Sequence, residues 1–158
     1  MAKKNQFDTE IRWTGNQGSG TKNYGAYARS WEVAVPGKPV VHCSNDPALG
    51  GDPTLHNPEE LLIAALSACH MLWYLHLCSS AGVIVTGYVD RPVGTGETES
   101  NGAGRFLSAR LRPEVTITRQ SDADKARALH GEIHKYCFIA RSVNFPVEYE
   151  PHVEFEQD

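Results

Sequence analysis

The sequence predicts an α+β fold with antiparallel sheets. The β-like stretches before residue 57 are separated by short Gly- and Pro-containing turns, at residues 15–20 and 36–39. Such turns join consecutive strands in antiparallel pairs. Two helical patterns, beginning near residues 57 and 121, interrupt the β texture and do not alternate with every strand as in a doubly wound sheet. The predicted order is β-β-(β)-α-β-β-α-β, in a single domain over residues 1–158.

The strands are predicted from β-branched and aromatic residues bounded by turn residues. They are expected at residues 7–14, 24–35, 40–41, 83–93, 105–118 and 147–155. The Gly-rich stretch at residues 94–104 is expected to be a hairpin loop. A phosphate-binding loop would lead into a helix, whereas this stretch leads into a strand and contains two glutamates.

The first helix has clear signals at both ends. Asn57 suits the N-cap, Pro58 suits the first helical position, and the two glutamates that follow complement the positive end of the helix dipole. Asn57 and Glu60 also have the spacing of a capping box. The helix is expected to reach about residue 80, where Gly82 can end it.

This helix is apolar on nearly every side, which raises the question of a membrane span. Residues 61–78 include Ser67, His70 and Tyr74 and have no basic flank, unlike a typical transmembrane segment. A helix that is apolar all round is expected at the centre of a packed core. We therefore predict no membrane partner.

A second helix is expected from Ser121 and Asp124, which again have capping spacing. Its apolar stripe comprises Ala126, Leu129, Ile133 and Cys137. His130 and His134 lie four residues apart, a spacing that can chelate a metal. No glutamate follows His130 directly to make the His-Glu-x-x-His pattern. No metal and no cofactor are predicted.

The overall charge and the cysteines limit the classes of function. A net charge of −4 argues against an electrostatic grip on nucleic acid. The polar N-terminus has no apolar stretch behind it, so no secretory signal is predicted and a cytoplasmic protein is expected. Four cysteines in that compartment are expected to be thiols. Their positions contain no Cys-x-x-Cys pair, so neither a zinc ribbon nor a thioredoxin-like motif is predicted.

Two of these thiols, Cys69 and Cys137, point to redox chemistry. Cys69 lies in about the fourth turn of the first helix, beyond the reach of the helix dipole. Burial alone would make the thiol inert. A nucleophilic Cys69 therefore needs a nearby cation, and arginine suits because it stays charged when buried. Cys43 and Cys78 are expected to be structural thiols, since Cys78 lies about 180° round the helix from Cys69.

The chain resembles the OsmC/Ohr family, which comprises osmotically inducible protein C and the organic hydroperoxide resistance reductases. The resemblance rests on two motifs. The first is Asn-Pro-Glu-Glu-Leu-Leu followed by Ala-Ala-Leu-Ser-Ala-Cys, at residues 57–62 and 64–69, and the second is Tyr-Cys-Phe-Ile-Ala-Arg-Ser at residues 136–142. The order of helices and strands also fits. The resemblance implies antiparallel sheets wrapped around long central helices in an intertwined homodimer.

The resemblance also implies a thiol peroxidase acting on organic hydroperoxides. Cys69 matches the peroxidatic cysteine, which becomes a sulfenic acid, and Cys137 matches the resolving cysteine, which then forms a disulfide with it. Glu59 matches the glutamate that orients the family's arginine. Arg29 is the best match for that arginine, with Arg12 as the alternative. An external dithiol, such as a lipoylated protein, is implied as the reductant.

Two further expectations concern the surroundings of the thiols. An apolar wall favouring organic peroxides is expected from Leu72, Trp73, Phe138 and Phe145, which can equally be plain core residues. Glu59 and Cys69 are separated by about 15 Å along a straight helix. Among the explanations, which include a bent helix or an extended arginine, we favour a glutamate from the second subunit of a two-fold dimer.

Two other functions remain open from the sequence. A dimer of the same fold could bind a small apolar ligand without catalysis. Alternatively, the thiols could reduce protein disulfides rather than peroxides. Stoichiometric oxidation of Cys69 by an organic hydroperoxide separates the peroxidase from both.

Overall fold

The computed structural model describes residues 1–157 and has the predicted α+β architecture. Within these residues, nine strands form three sheets of three strands each. The strands are β1 (Glu10–Trp13), β2 (Trp31–Ala34), β3 (Val41–Cys43), β4 (Val85–Asp90), β5 (Val93–Thr98), β6 (Gly104–Leu111), β7 (Pro113–Ile117), β8 (Val147–Tyr149) and β9 (His152–Phe155). The α-helices are α1 (Pro58–Ala81) and α2 (Ala123–Leu129), with 3-10 segments at Pro47–Leu49 and His130–Lys135.

The chain divides into two compact units. The first unit is Met1–Leu61 and the second begins at Leu62; the single domain over residues 1–158 stays a prediction. In the first unit, β1, β2 and β3 form the predicted antiparallel meander, with Trp31 opposite Trp13 on one side and Cys43 on the other. Cys43 is fully buried in this sheet, as expected of a structural thiol.

The start of α1 confirms the predicted capping box. The backbone N–H of Glu60 donates to Asn57 Oδ1 at 2.8 Å, and the backbone N–H of Asn57 donates to Glu60 Oε2 at 3.3 Å. Two orphan donors at the helix N-terminus are thereby satisfied. The helix ends at Ala81 because Gly82 adopts φ 75°, in the left-handed region. By length and composition alone, α1 is the one described helix that could cross a membrane, and core helices of soluble proteins meet the same criterion.

Replacing Asn57 with alanine is expected to lower the free energy of unfolding by about 1 kcal/mol, because it removes the side-chain acceptor of the cap. Equilibrium urea denaturation measures this change. Asn57→Ser keeps an acceptor at the N-cap and is expected to stay close to the original protein. Equal stability of the alanine and serine variants would contradict the capping role.

The bounds predicted for two strands after α1 are wrong, because the structure divides each of these stretches between two strands. Residues 83–93 and 105–118 form a long hairpin that bends in its middle, near Pro92 and Arg112. Its two halves therefore enter different sheets, β4 with β7 and β5 with β6. The Gly-rich loop predicted at residues 94–104 is also shorter, since β5 runs to Thr98. A Cβ at Gly94 would lie 2.6 Å from Phe106 and 2.7 Å from Ile63, so glycine permits this close packing.

The C-terminal strands join the sheets in parallel. β8 pairs with β6, and β9 pairs with β7. The predicted last strand, residues 147–155, is therefore two strands. The antiparallel pairing expected from short turns holds for the consecutive pairs. β8 and β9 follow the long connection through α2, which allows parallel pairing.

The second helix differs from the prediction at both ends. Asp122, not Ser121, is the N-cap, since its Oδ1 accepts from the backbone N–H of Lys125 at 2.9 Å. The Ser121 hydroxyl instead accepts from the backbone N–H of Ile84 at 2.9 Å, which ties the helix start to β4. The α-helix ends at Leu129 and continues as the 3-10 segment, so Cys137 lies in the following turn rather than on the helix.

Candidate active site

Cys69 and Cys137 are neighbours in the second unit. Cys69 is half-buried on α1 and packs against the hydrophobic cluster that contains Cys137, which is 1 % exposed. Cys69 lies near enough to Cys137 to affect the pKa of its thiol. All four cysteines are free. The structure thus brings together the two sulfurs that the sequence predicted as a reactive pair.

The surroundings of Cys137 keep its thiol protonated. Burial, and then the neighbouring Cys69 thiol, raise the pKa of Cys137 to about 11. The backbone N–H of Ala140 donates to its sulfur at 3.4 Å and opposes this change only in part. The two cysteines are chemically unequal, since Cys69 is half-buried whereas Cys137 is buried and protonated at neutral pH.

A small enclosed space lies beside Cys137. It measures about 30 Å³ and is lined in part by His70, His134, Cys137 and Tyr149. A volume of this size can hold one water molecule when polar groups border it.

Buried imidazoles lie next to the thiol pair. His70 Nε2 is 3.0 Å from His130 Nδ1, and the ring of His130 stacks on Tyr74 with a centroid separation of 3.9 Å. Burial lowers the pKa of His70 to about 4, against a smaller opposite effect of Asp90, and lowers the pKa of His130 to about 3. Both rings are therefore neutral at physiological pH. Among the described residues, no group of three or more His, Cys, Asp or Glu side chains is placed to hold a metal ion.

The residues predicted as an apolar wall lie in different surroundings. Trp73 stacks on Tyr136 at 5.1 Å, one helical turn after Cys69 on α1. Leu72 and Phe138 are exposed. Phe145 packs against Phe106 at 5.4 Å in a separate cluster. Trp73 and Tyr136 therefore form a stacked aromatic pair near the two cysteines, whereas Phe145 packs in a separate part of the core.

Arg29 lies in the first unit, in a cradle of aromatic rings. Its guanidinium donates to the backbone carbonyls of Tyr27 at 2.7 Å and Tyr24 at 2.6 Å. The same group lies over the rings of Tyr24 and Tyr27, 3.9 Å and 4.4 Å from their centroids. Gly50 closes the cradle, since a Cβ there would lie 3.5 Å from the guanidinium. Within the described residues, the half-buried guanidinium thus has two of its five N–H donors in hydrogen bonds to backbone carbonyls.

The other predicted residues of the first unit are exposed. Glu59 lies in the first turn of α1, and within residues 1–157 it forms no ion pair with Arg29. Arg12 lies on β1 and pairs with Glu10. Arg29 and Glu59 belong to the first unit and the two cysteines to the second, so the assignment of the arginine and glutamate to Cys69 stays a prediction. Cys78 is buried in the core of the second unit, as expected.

The family profile described as OsmC-like protein matches residues 51–151. The chain belongs to the OsmC-like protein family. The matched region contains both cysteines and most of the second unit. Among curated proteins, no sequence matches this OsmC-like chain significantly.

Solved structures agree with this assignment. An OsmC-like protein of unknown function from Vibrio cholerae is 27 % identical with a TM-score of 0.83, over 94 % of this chain and 99 % of its own. An organic hydroperoxide resistance protein from Elizabethkingia anophelis is 18 % identical with a TM-score of 0.64, over 98 % and 100 % of the two chains. A corresponding protein from Legionella pneumophila is 17 % identical with a TM-score of 0.63, over 96 % and 99 %. The last two show the shared fold.

Sequence reasoning missed the pairing of His70 with His130. A signal for the burial of His70 does exist, because it shares one face of α1 with Leu66, Tyr74 and Cys78, at spacings of three and four residues. Nothing in the sequence indicates that His130, sixty residues later, completes the pair. This long-range contact appears only in the folded structure.

Proposed function

We propose that this OsmC-like protein is a cysteine-based peroxidase that reduces organic hydroperoxides to alcohols. The observation that supports it most is that the half-buried Cys69 packs against the cluster that contains the buried, protonated Cys137. Structural relatives named as organic hydroperoxide resistance proteins are consistent with this substrate class. We place the protein in the cytoplasm, where reduced thiols persist.

In the first step, the Cys69 thiolate attacks one oxygen of the hydroperoxide. An S–O bond forms, the O–O bond breaks, and the alkoxide leaves as an alcohol after taking a proton. The sulfur is oxidised to a sulfenic acid and the peroxide is reduced.

In the second step, Cys137 condenses with the sulfenic acid. An S–S bond forms, and the sulfenic hydroxyl leaves as water with the proton of Cys137. An external dithiol then exchanges with the Cys69–Cys137 disulfide and returns both thiols. We propose a lipoylated protein as that dithiol, on the basis of the family resemblance. No cofactor takes part in these proposed reaction steps.

The proposal is tested by single-turnover oxidation with cumene hydroperoxide. We expect one equivalent of peroxide to consume the Cys69 thiol and to give a Cys69–Cys137 disulfide, detected by peptide mass spectrometry. A ligand-binding protein would show only slow, unselective oxidation. A protein disulfide reductase would react faster with a model disulfide than with the peroxide. Lipoamide and thioredoxin systems, compared in the same assay, identify the class of reductant.

We also propose that Arg29 stabilises the Cys69 thiolate and the charge that develops on the leaving oxygen, and that Glu59 orients this arginine. Replacing Arg29 with methionine is expected to lower the second-order rate constant for peroxide by about 10²-fold, the usual cost of losing one such electrostatic contact. Stopped-flow fluorescence of the oxidation step measures it. Arg12→Met is the matched comparison. A larger loss from Arg12→Met than from Arg29→Met would show that Arg12 is the partner.

We further propose a two-fold homodimer, because α1 presents an uncovered apolar face. Within the second unit, this face includes the exposed residues Leu62, Ala65, Ala68 and Leu72. Light scattering is expected to give twice the chain mass of 17.4 kDa. Leu72→Glu is expected to give a monomer, since it puts a charge on that face, whereas Leu107→Glu on β6 is expected to remain dimeric. A wild-type monomer that retains activity would rule out the dimer.

A further inference from the structure

A buried cluster of rings fastens the Cys137 segment to α1. His70 Nε2 and His130 Nδ1 share a hydrogen bond of 3.0 Å. The ring of His130 lies parallel to that of Tyr74, at 3.9 Å and 14°. The Tyr74 hydroxyl donates to the backbone carbonyl of Ala126 at 3.1 Å. Three contacts therefore join little more than one turn of α1 to the chain just before Cys137.

These contacts lie close to both sulfurs along the chain. His70 directly follows Cys69, and His130 begins the 3-10 segment that leads to Cys137. A fourth contact, the stack of Trp73 on Tyr136 at 5.1 Å, lies immediately before Cys137. Because α1 carries one sulfur and the turn after the 3-10 segment carries the other, a shift of one segment relative to the other changes the distance between the thiols.

At this place in the core, the histidine pair contributes less to stability than apolar side chains of similar shape would. His130 is fully buried, and its Nε2 has no hydrogen-bond partner among the described residues. An unpaired buried polar atom of this kind destabilises the folded protein, and apolar side chains of similar shape would avoid that cost. Stability alone therefore does not account for two imidazoles at this place. A directional bond, however, fixes the relative position of two elements in a way that apolar packing does not.

We propose that the His70–His130 pair is a positioning clasp that holds the Cys137 thiol within bonding reach of Cys69. The clasp sets the rate at which Cys137 condenses with the Cys69 sulfenic acid, and in this respect it rests on the proposed function. It also sets the stability of the Cys69–Cys137 disulfide, which requires no peroxidase activity. Formation of that disulfide in a glutathione buffer transfers two electrons to oxidised glutathione and releases two molecules of glutathione.

The test begins with His130→Phe, which keeps a ring on Tyr74 but cannot bond to His70. The equilibrium constant for disulfide formation against glutathione is expected to fall about ten-fold, a shift of about 30 mV toward a more easily reduced disulfide. With cumene hydroperoxide, sulfenic acid formation is expected to keep its rate, while its conversion to the disulfide slows about ten-fold. The longer-lived sulfenic acid is then expected to give more sulfinic acid in excess peroxide.

Two further variants separate positioning from general stability. His130→Asn places an amide near the former Nδ1 and is expected to restore the hydrogen bond and the wild-type potential. Val115→Ala removes packing from a fully buried position on β7 and is expected to lower stability without moving the potential. If His130→Phe fails to fold, the same comparison can be made on α1. The disulfide potential of His70→Leu, which cannot form the hydrogen bond, is then compared with that of His70→Gln, which can.

The outcomes are decisive. A wild-type potential in His130→Phe or His70→Leu would overturn the clasp, as would failure of His130→Asn or His70→Gln to restore it. An equal shift in Val115→Ala would show a loss of stability only. If the wild type does not react with cumene hydroperoxide, the proposed function fails, but the glutathione equilibrium still decides the clasp. Absence of any Cys69–Cys137 disulfide in that buffer overturns the clasp as well.

Discussion

Replacing Cys69 with serine is expected to abolish peroxide-dependent turnover, whereas replacing Cys137 with serine is expected to permit a single turnover. The hydroxyl of serine is not deprotonated at neutral pH and cannot attack the O–O bond. Without Cys137, the first step still proceeds, but the sulfenic acid has no intramolecular partner. A dimedone adduct on Cys69, detected by mass spectrometry, is the expected signature of the Cys137→Ser variant.

Cys78→Ala is the matched control for these variants. Cys78 lies on the same helix and is 1 % exposed, but it belongs to the opposite side of α1 from Cys69. The control is expected to keep full turnover with only a modest loss of stability. Turnover that survives in Cys69→Ser, or that disappears in Cys78→Ala, would contradict the assignment of the peroxidatic thiol.

The parts of the fold that depend on local interactions could be predicted from the sequence. The cap of α1 uses hydrogen bonds between Asn57 and Glu60, three residues apart, so the motif itself carries the information. The bend of the long hairpin near Pro92 is different. Residues on both sides of it have β-like composition, and only the assembled sheets decide where one strand ends and the next begins.

Local signals also explain the mistaken cap of α2. Ser121 and Asp122 are both good N-cap residues, and the sequence offers no ground for choosing between them. The structure gives Ser121 a different partner, the backbone N–H of Ile84, so Asp122 takes the cap. A tertiary contact with a residue 37 positions away thus decides a boundary that appears to be local.

The candidate site likewise combines features that the local sequence indicates with features that only the folded structure decides. The sequence singled out Cys69 and Cys137 through motifs that resemble a known family, and the structure places both at one hydrophobic cluster. Burial was the harder property to predict, since α1 is apolar on nearly every side. The structure separates its faces: Leu66, His70 and Tyr74 are buried, whereas Ala65, Ala68 and Leu72 are exposed. The exposed apolar face is what motivates the proposed dimer.

Acid is expected to destabilise the protein between about pH 6.5 and pH 4 through its buried histidines. The pKa of His70 falls from 6.5 to about 4 on folding, and that of His130 to about 3, chiefly because of burial. Asp90 opposes the change at His70, and the rings of Tyr74 and Tyr149 pack against the pair. The unfolded chain therefore binds protons at pH values where the folded chain does not.

The direction of the pH effect on stability follows from this difference in proton binding between the unfolded and the folded chain. The stabilisation is complete above the unfolded pKa of about 6.5 and is lost as the pH falls toward the folded values. For His70 alone, the free energy of unfolding is expected to drop by about 3 kcal/mol between pH 7 and pH 4. Urea denaturation at a series of pH values measures this slope.

The double variant His70→Gln with His130→Asn provides the control. Its amides occupy the positions of the bonded ring nitrogens but do not titrate. The free energy of unfolding of this variant is expected to change much less between pH 7 and pH 4, with the remaining slope due to carboxylates. If wild type and double variant lost stability in parallel, the pKa values of the two imidazoles would not be lowered on folding. Both rings would then protonate near pH 6.5 in the folded protein, and the N–H···N bond between His70 and His130 would be lost below that pH, because two protonated rings cannot form it.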